Sequence, residues 1–303
     1  MSAGTRTLLL ITASSPEIKR ARQSRILNFE QITMPYLASF VPPHWTVLHV
    51  DEAVEPIDFD VQADLVAITF HTPSALHAYD LAARFRRRGT PVVLGGPHVT
   101  LIPDEAQEKA DVIFIGEAES HWPRFLEEFE AGQYSERYCC LEPPALDKAP
   151  MSRHDLFHRN DHAAGVLFAT RGCAHRCDFC TVAVMYQRQV RTRPLEAVVR
   201  EYASFDGKII ILWDDNIAAD MKYAKALFRA LAPYGKWWSS QATIHAAKDD
   251  EFLELAARSG CKQLFIGLES VSQASVSEVS KAFNRVDEYA QAIKQIHSHG
   301  IAV

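Results

Sequence analysis

Short apolar runs alternate with helical stretches along this whole chain, and that alternation narrows the fold more than any other feature. In the first 135 residues, Thr7–Thr12, Thr46–Val50, Leu65–Phe70, Pro91–Gly95 and Val112–Ile115 read as strands. Between the third and fourth, Ser74 is placed to cap a helix with the rough apolar stripe Leu76, Tyr79, Ala83 and Phe85, and Gly89 ends it. A second helix covers Ser120 to Ala131 and stops at Gly132. Strands and helices in this order build an open parallel sheet with helices on both faces.

Residues 136–160 break the pattern. The segment Leu141-Glu-Pro-Pro-Ala-Leu-Asp-Lys-Ala-Pro150 holds three prolines in ten residues and has neither period, so it reads as a linker. From 161 to 303 the alternation resumes, with strands expected at Gly165–Thr170, Lys208–Trp213, Trp237–Ala242, Gln263–Gly267 and Gly300–Val303. Asp249 is placed to cap a helix over Asp250–Ser259 that Gly260 closes, and a further helix covers Asp287–Ser298. A continuous run of such units predicts a barrel or partial barrel, with its chemistry on the loops after the strands. The sequence stops inside the last expected strand, so the barrel reads as partial and truncated.

With 303 residues the chain has room for two domains, and 48% hydrophobic residues suffice for two cores. A net charge of −6 gives no support for nucleic-acid binding, which favours a basic domain. The basic cluster Arg84 to Arg88 reads as the solvated end of a helix. No stretch reaches the roughly 20 apolar residues of a membrane span, and the opening Thr7–Thr12 run is too short for a secretory signal. The expected compartment is the cytoplasm, where clustered cysteines are metal ligands more often than disulfides.

Three of the six cysteines lie in Cys173-Ala-His-Arg-Cys177-Asp-Phe-Cys180, directly after the first strand of the second half. Three thiolates on one tight loop leave a fourth coordination position open, which catalysis requires and a structural site lacks. A structural zinc with His175 or a distant cysteine as fourth ligand is the alternative. Cys139, Cys140 and Cys261 have no ligand spacing and read as ordinary cysteines. Arg188, Arg191 and Arg193 alternate before Pro194. They suit a carboxylate of a ligand, but a solvated surface is the simpler reading.

The set Arg171-Gly-Cys173-x3-Cys177-x-Phe179-Cys180 after a first barrel strand resembles the radical S-adenosylmethionine (SAM) enzymes. That resemblance implies a four-iron four-sulfur (4Fe-4S) cluster on Cys173, Cys177 and Cys180, with SAM bound at the open iron and cleaved to a 5′-deoxyadenosyl radical. It implies Phe179 against the adenine. It also implies SAM contacts from Asp215 and Asn216 in Trp213-Asp-Asp-Asn216, from Gln241, and from Glu269 and Ser270 in Ile266-Gly-Leu-Glu-Ser270. Read without it, Asp215 or Asn216 is equally a helix cap, and a cap is the simpler reading of Ser270.

In the first half, Gly95-Gly96-Pro-His98-Val-Thr100 follows an apolar strand, where ligands of open α/β sheets bind. Together with Pro103-x-Glu105-Ala and Ile115-Gly116-Glu117-Ala-Glu119, it resembles the Rossmann-like cobalamin-binding domain that precedes many radical SAM domains. The resemblance implies cobalamin contacts at Gly95, Gly96, His98, Thr100, Gly116 and Glu117. No G-x-G-x-x-G follows the first strand, which speaks against a dinucleotide. No D-x-H-x-x-G is present to supply a histidine to cobalt, and His98 and His71 lack ligand spacing; a plain hydrogen-bonding role is the simpler reading of both.

The expectation is an α/β chain: a cobalamin-binding-like domain over 1–135, a linker over 136–160 and a partial radical SAM barrel over 161–303. The implied activity is methylation of an unactivated carbon through the 5′-deoxyadenosyl radical and methylcobalamin. Cyclisation or rearrangement without net methylation, and a non-catalytic metal- or cobalamin-binding fragment, are the alternatives. The implied partners are a small-molecule or lipid-like substrate and an external low-potential electron donor, with no nucleic acid and no transmembrane segment.

Overall fold

The computed structural model describes residues 6–22, 31–140, 142–157 and 165–303. The chain divides into two compact units: one runs to Pro144 and takes in the segment from Pro150, and the other takes in Ala145–Ala149 and the residues to Val303.

The first unit follows the order β1 (Arg6–Thr12), α1 (Pro16–Arg22), α2 (Thr33–Ala38), β2 (Trp45–Asp51), β3 (Leu65–Thr69), α3 (Ala75–Arg87), β4 (Val92–Gly95), α4 (Pro97–Leu101), α5 (Pro103–Gln107), β5 (Val112–Gly116), α6 (Trp122–Glu130) and β6 (Arg137–Cys140). Its six strands lie in the order β2-β1-β3-β4-β5-β6, and every pair is parallel. Alternation along the strands divides the core in two. Leu9, Ile11, Val66 and Ile68 point to one face and pack with Ala78, Ala82 and Phe85 of α3. Leu8, Leu10, Leu65 and Ala67 point to the other and pack with Met34 of α2 and Trp122 and Phe125 of α6. The order reverses between β1 and β3, so the crevice at their carboxyl ends is the expected ligand position of such a sheet.

Two sequence expectations are corrected here. Ser74 does not cap α3 with its side chain; its Oγ accepts the Ser15 amide at 3.0 Å and ties the β1 and β3 loops together. Residues 137–140, expected in the linker, form a sixth strand because Tyr138 and Cys140 alternate inward. The Tyr138 ring stacks on Phe114 at 4.9 Å, inside an aromatic group with Trp122 and Phe125. The linker beyond is partly anchored: Arg153 donates its amide to the Pro35 carbonyl, and the Leu156 carbonyl lies 3.2 Å from His49 Nδ1. Leu141 and residues 158–164 lie outside the described residues.

The second unit runs β7 (Gly165–Leu167), β8 (Thr170–Arg171), α7 (Thr181–Met185), β9 (Arg191–Thr192), α8 (Leu195–Ser204), β10 (Ile209–Leu212), α9 (Met221–Leu231), β11 (Trp237–Ala242), α10 (Asp250–Arg258), β12 (Cys261–Ile266), α11 (Gln273–Glu278) and α12 (Tyr289–Ser298). Its parallel sheet has the order β12-β11-β10-β7, and Ala302 bridges to Gln263 beyond β12. The expected first strand is split: after β7 the chain turns into β8, which pairs antiparallel with β9. Ala224, Leu227 and Phe228 of α9 and Phe252 and Ala256 of α10 bury one face of each helix, and the Phe228 ring stacks on Trp238 of β11. Asp220 caps α9, and Asp249 caps α10 as expected. Sequential parallel strands put all their carboxyl ends on one edge, where the cysteine loop begins.

Candidate functional site

The cysteine loop starts at Gly172, whose φ of 92° lies in a region that favours glycine; a Cβ there would run into the Gln189 carbonyl. Cys177 is buried and Cys173 and Cys180 are half-buried, with Cys180 leading into α7. Burial pushes the Cys177 thiol up, while the nearby Lys281 cation pulls the other way. Among the described residues, no three His, Cys, Asp or Glu side chains gather tightly enough for one metal ion. A cluster places each thiolate on a separate iron, so three thiols on one loop are the donor set of a cluster with one iron left open.

The loop is held from one side by the segment after α11. Asp178 donates its amide to the Val279 carbonyl at 3.2 Å, and Ser280 Oγ donates to Asp178 Oδ2 at 2.8 Å. The His175 ring stacks on Phe283 with centroids 3.9 Å apart, and His245 Nε2 lies 2.7 Å from the Phe283 carbonyl. Burial, then His245 and Lys281, hold the His175 pKa below the usual histidine value, which favours its neutral form. His175 is thus engaged in stacking and is not needed as a ligand.

The other side is the end of β10. Asp214, fully buried, accepts the Ala169 amide at 3.1 Å and also the Thr170 amide. Its burial outweighs these hydrogen bonds and pushes the carboxyl up to about 7. Asp215 Oδ2 accepts the Gly172 amide at 2.7 Å. Asn216 Nδ2 lies 3.8 Å from Cys173 Sγ. The helix-cap alternative for Asp215 and Asn216 is not what forms, since Asp220 takes that role.

Gln241 ends β11 with an exposed side chain. Glu269 follows β12 with a φ of 66°, a left-handed conformation that non-glycine residues adopt mostly at constrained sites. Its Oε1 meets Lys281 Nζ at 2.6 Å. A Cβ on Gly267 would run into that carboxylate, so the glycine makes room for the pair. Lys281 also lies 5.6 Å from the ring of Phe179, which is 52% exposed. Ser270 Oγ accepts the Ser272 amide, and Ser272 is the cap of α11, so the expected capping role belongs two residues further on.

Sequence reasoning missed Lys281, which lies beyond the last motif. It also took Arg193 for a surface residue. Arg193 is buried and pairs with the equally buried Glu201 at 2.6 Å, donates to the Phe168 carbonyl at 2.9 Å and lies over the Phe168 ring. It therefore fixes the backbone just before the cysteine loop.

In the first unit, Gly96 has a φ of 100°, and a Cβ there would sit 2.5 Å from Thr69 Oγ1 and 3.0 Å from the Phe70 backbone. A Cβ on Gly95 would meet only Phe114 within 4 Å, so this glycine leaves open space at the strand end, as a bulky ligand needs. Thr100 Oγ1 donates to the Gly96 carbonyl and accepts the Gly116 amide, joining the two glycine loops. Gly116 has a φ of 86°, and a Cβ there would strike the Cys140 carbonyl. Its conformation thus answers to β6 rather than to a ligand. Glu117 is buried beside it. His98 takes the plain hydrogen-bonding role that was its simpler reading: the ring is 3% exposed, with Nδ1 at 3.1 Å from Thr72 Oγ1 and Nε2 at 3.1 Å from the Tyr79 hydroxyl. It serves the core in the hydrogen-bonding role and does not face a ligand.

Comparison with known proteins agrees with both halves. Residues 167–303 match the model of the radical SAM superfamily, and residues 28–126 match that of the B12-binding domain. Bacteriochlorophyllide d C-12(1)-methyltransferase of Chlorobaculum tepidum is 28% identical over 94% of this chain and 66% of its own length. Hopanoid C-2 methylase of Rhodopseudomonas palustris is 24% identical over 88% of this chain and 54% of its own length. The chain thus spans between half and two thirds of these relatives. In fold it is similar to the radical SAM methyltransferase TsrM of Kitasatospora setae, with a TM-score of 0.75 at 16% identity, covering 98% of this chain and 66% of that one. The cobalamin-dependent radical enzyme OxsB gives 0.77 at 16% identity, covering 98% and 48%. No helix among the described residues is long and apolar enough to cross a membrane. An N-terminal B12-binding domain followed by a radical SAM domain places this chain in the cobalamin-binding radical SAM family, whose cofactors are a 4Fe-4S cluster, SAM and cobalamin.

Proposed function

We propose that the protein to which this chain belongs methylates an unactivated carbon of a small-molecule or lipid-like substrate. The observation that carries this is the loop of Cys173, Cys177 and Cys180, held between the β10 end and the Val279–Phe283 segment in a chain that also carries a B12-binding domain. The curated relatives named above are methyltransferases of a bacteriochlorophyllide and of a hopanoid, which supports the reaction.

When bound, the cluster and SAM supply a radical that removes hydrogen, and cobalamin supplies the methyl group. The chain's own residues hold and orient these groups. Cys173, Cys177 and Cys180 would hold the cluster. The exposed Phe179 ring offers a face for the adenine, Lys281 with Glu269 offers charge to SAM beside it, and Gln241 at the β11 end would offer a hydrogen bond. Gly95 and Gly96 would let cobalamin approach the β4 end closely. His98, with both ring nitrogens engaged by Thr72 and Tyr79, would not be offered to cobalamin as a ligand. An external low-potential electron donor completes the system. We place the reaction in the cytoplasm, where six free cysteines stay reduced.

The experiment is anaerobic turnover of the reconstituted protein with methyl-deuterated SAM and small-molecule and lipid candidate substrates. A product heavier by one labelled methyl group supports the reading. A rearranged product of unchanged composition would replace it with cyclisation or rearrangement.

A further inference from the structure

Asn216 reaches the cysteine loop from the end of β10. It is 3% exposed. Its Oδ1 accepts two backbone amides, Ala218 at 3.3 Å and Thr243 at 3.2 Å. Flipping the amide would aim its NH2 group at two donors, so the orientation is fixed by chemistry as well as by packing. Nδ2 therefore faces Cys173 Sγ, at 3.8 Å. The backbone before Cys173 is registered on the same strand end, since Asp214 accepts Ala169 and Thr170 and Asp215 accepts Gly172. Neither partner can drift without breaking that set.

We propose that Asn216 is a tuning residue for the cluster: it donates an N–H···S hydrogen bond to the Cys173 thiolate and raises the cluster's reduction potential, instead of contacting SAM. This rests on the reading of the three cysteines as cluster ligands. The reduced cluster carries one more negative charge, so a donor on a ligand sulfur stabilises it more than the oxidised form. The donor comes from a strand end whose other bonds, to the Ala218 and Thr243 amides, are made within the protein itself. It therefore acts on the resting cluster before SAM arrives.

The test is a redox titration of the reconstituted full chain without SAM, followed by electron paramagnetic resonance. Asn216→Leu keeps the shape and removes the donor. Asn216→Asp keeps the oxygen that accepts Ala218 and Thr243 and turns a carboxylate oxygen toward the sulfur. Both variants should hold as much iron as wild type. Asn216→Leu should lower the potential by the equivalent of about a tenfold change in the reduction equilibrium, about 59 mV for one electron, and Asn216→Asp should lower it further. Unchanged potentials overturn the proposal. So does loss of iron from both variants, which would make Asn216 a structural support. Wild type without iron would instead overturn the cluster reading on which the proposal stands.

Discussion

Asp214→Asn should make the apo protein more stable at neutral and alkaline pH. The wild-type carboxyl is fully buried at the β10 end, and burial raises it from 3.8 to about 7 despite the Ala169 and Thr170 amides it accepts. Between those values the folded chain keeps a proton that the unfolded chain has lost, so wild-type stability falls as pH rises through that window. Roughly three pKa units at 1.36 kcal/mol each give about 4 kcal/mol, of which about 3 kcal/mol falls between pH 5 and pH 8. Asparagine keeps an oxygen for the two amides and has nothing to ionise. The assay is urea unfolding of the reduced apo protein across that range, read by tryptophan fluorescence and compared at equal slope. The wild-type-to-variant difference should move by about 3 kcal/mol in favour of the variant at the higher pH. Parallel pH profiles would show that Asp214 does not hold its proton, and the reasoning would fail.

Three further outcomes follow from the geometry. Arg193→Met should cost roughly 3–5 kcal/mol by leaving the Glu201 carboxylate buried alone, and Arg193→Met with Glu201→Met should recover most of it in the same unfolding assay. Gly96→Ala forces a side chain into a φ of 100° and against Thr69; a cost of about 1–3 kcal/mol and loss of cobalamin in equilibrium dialysis are expected, with iron content unchanged. Lys281→Met removes the cation beside Phe179 and Glu269, and SAM affinity by calorimetry should fall about tenfold, or 1.4 kcal/mol, with iron retained; equal affinity would remove Lys281 from the site.

The strands were legible because each is an apolar run between turn residues, and β11 falls on Trp237–Ala242 as expected. β6 was not, because four residues carry too little period, and its pairing with β5 and the stacking of Tyr138 on Phe114 are contacts that nothing local marks. The cysteine loop was legible from spacing alone. Its supports were not: Asp215 and Gly172 lie 43 residues apart, as do Asn216 and Cys173, and nothing local marks those pairs. Arg193 defeated the usual rule that arginine stays at the surface, because its partner Glu201 is buried with it. His98 sits inside a recognisable motif, and the sequence could not name Thr72 and Tyr79 as the partners of its ring nitrogens.

Anaerobic reconstitution with iron, sulfide and hydroxocobalamin, followed by counting of iron and corrin and by assay of 5′-deoxyadenosine from SAM under strong reductant, tests the central claim most directly. About four irons and one corrin per chain, with 5′-deoxyadenosine formed and lost on substitution of Cys173, Cys177 or Cys180 by alanine, is the predicted result. Zinc in place of iron, or a loaded cluster that leaves SAM intact, would contradict it.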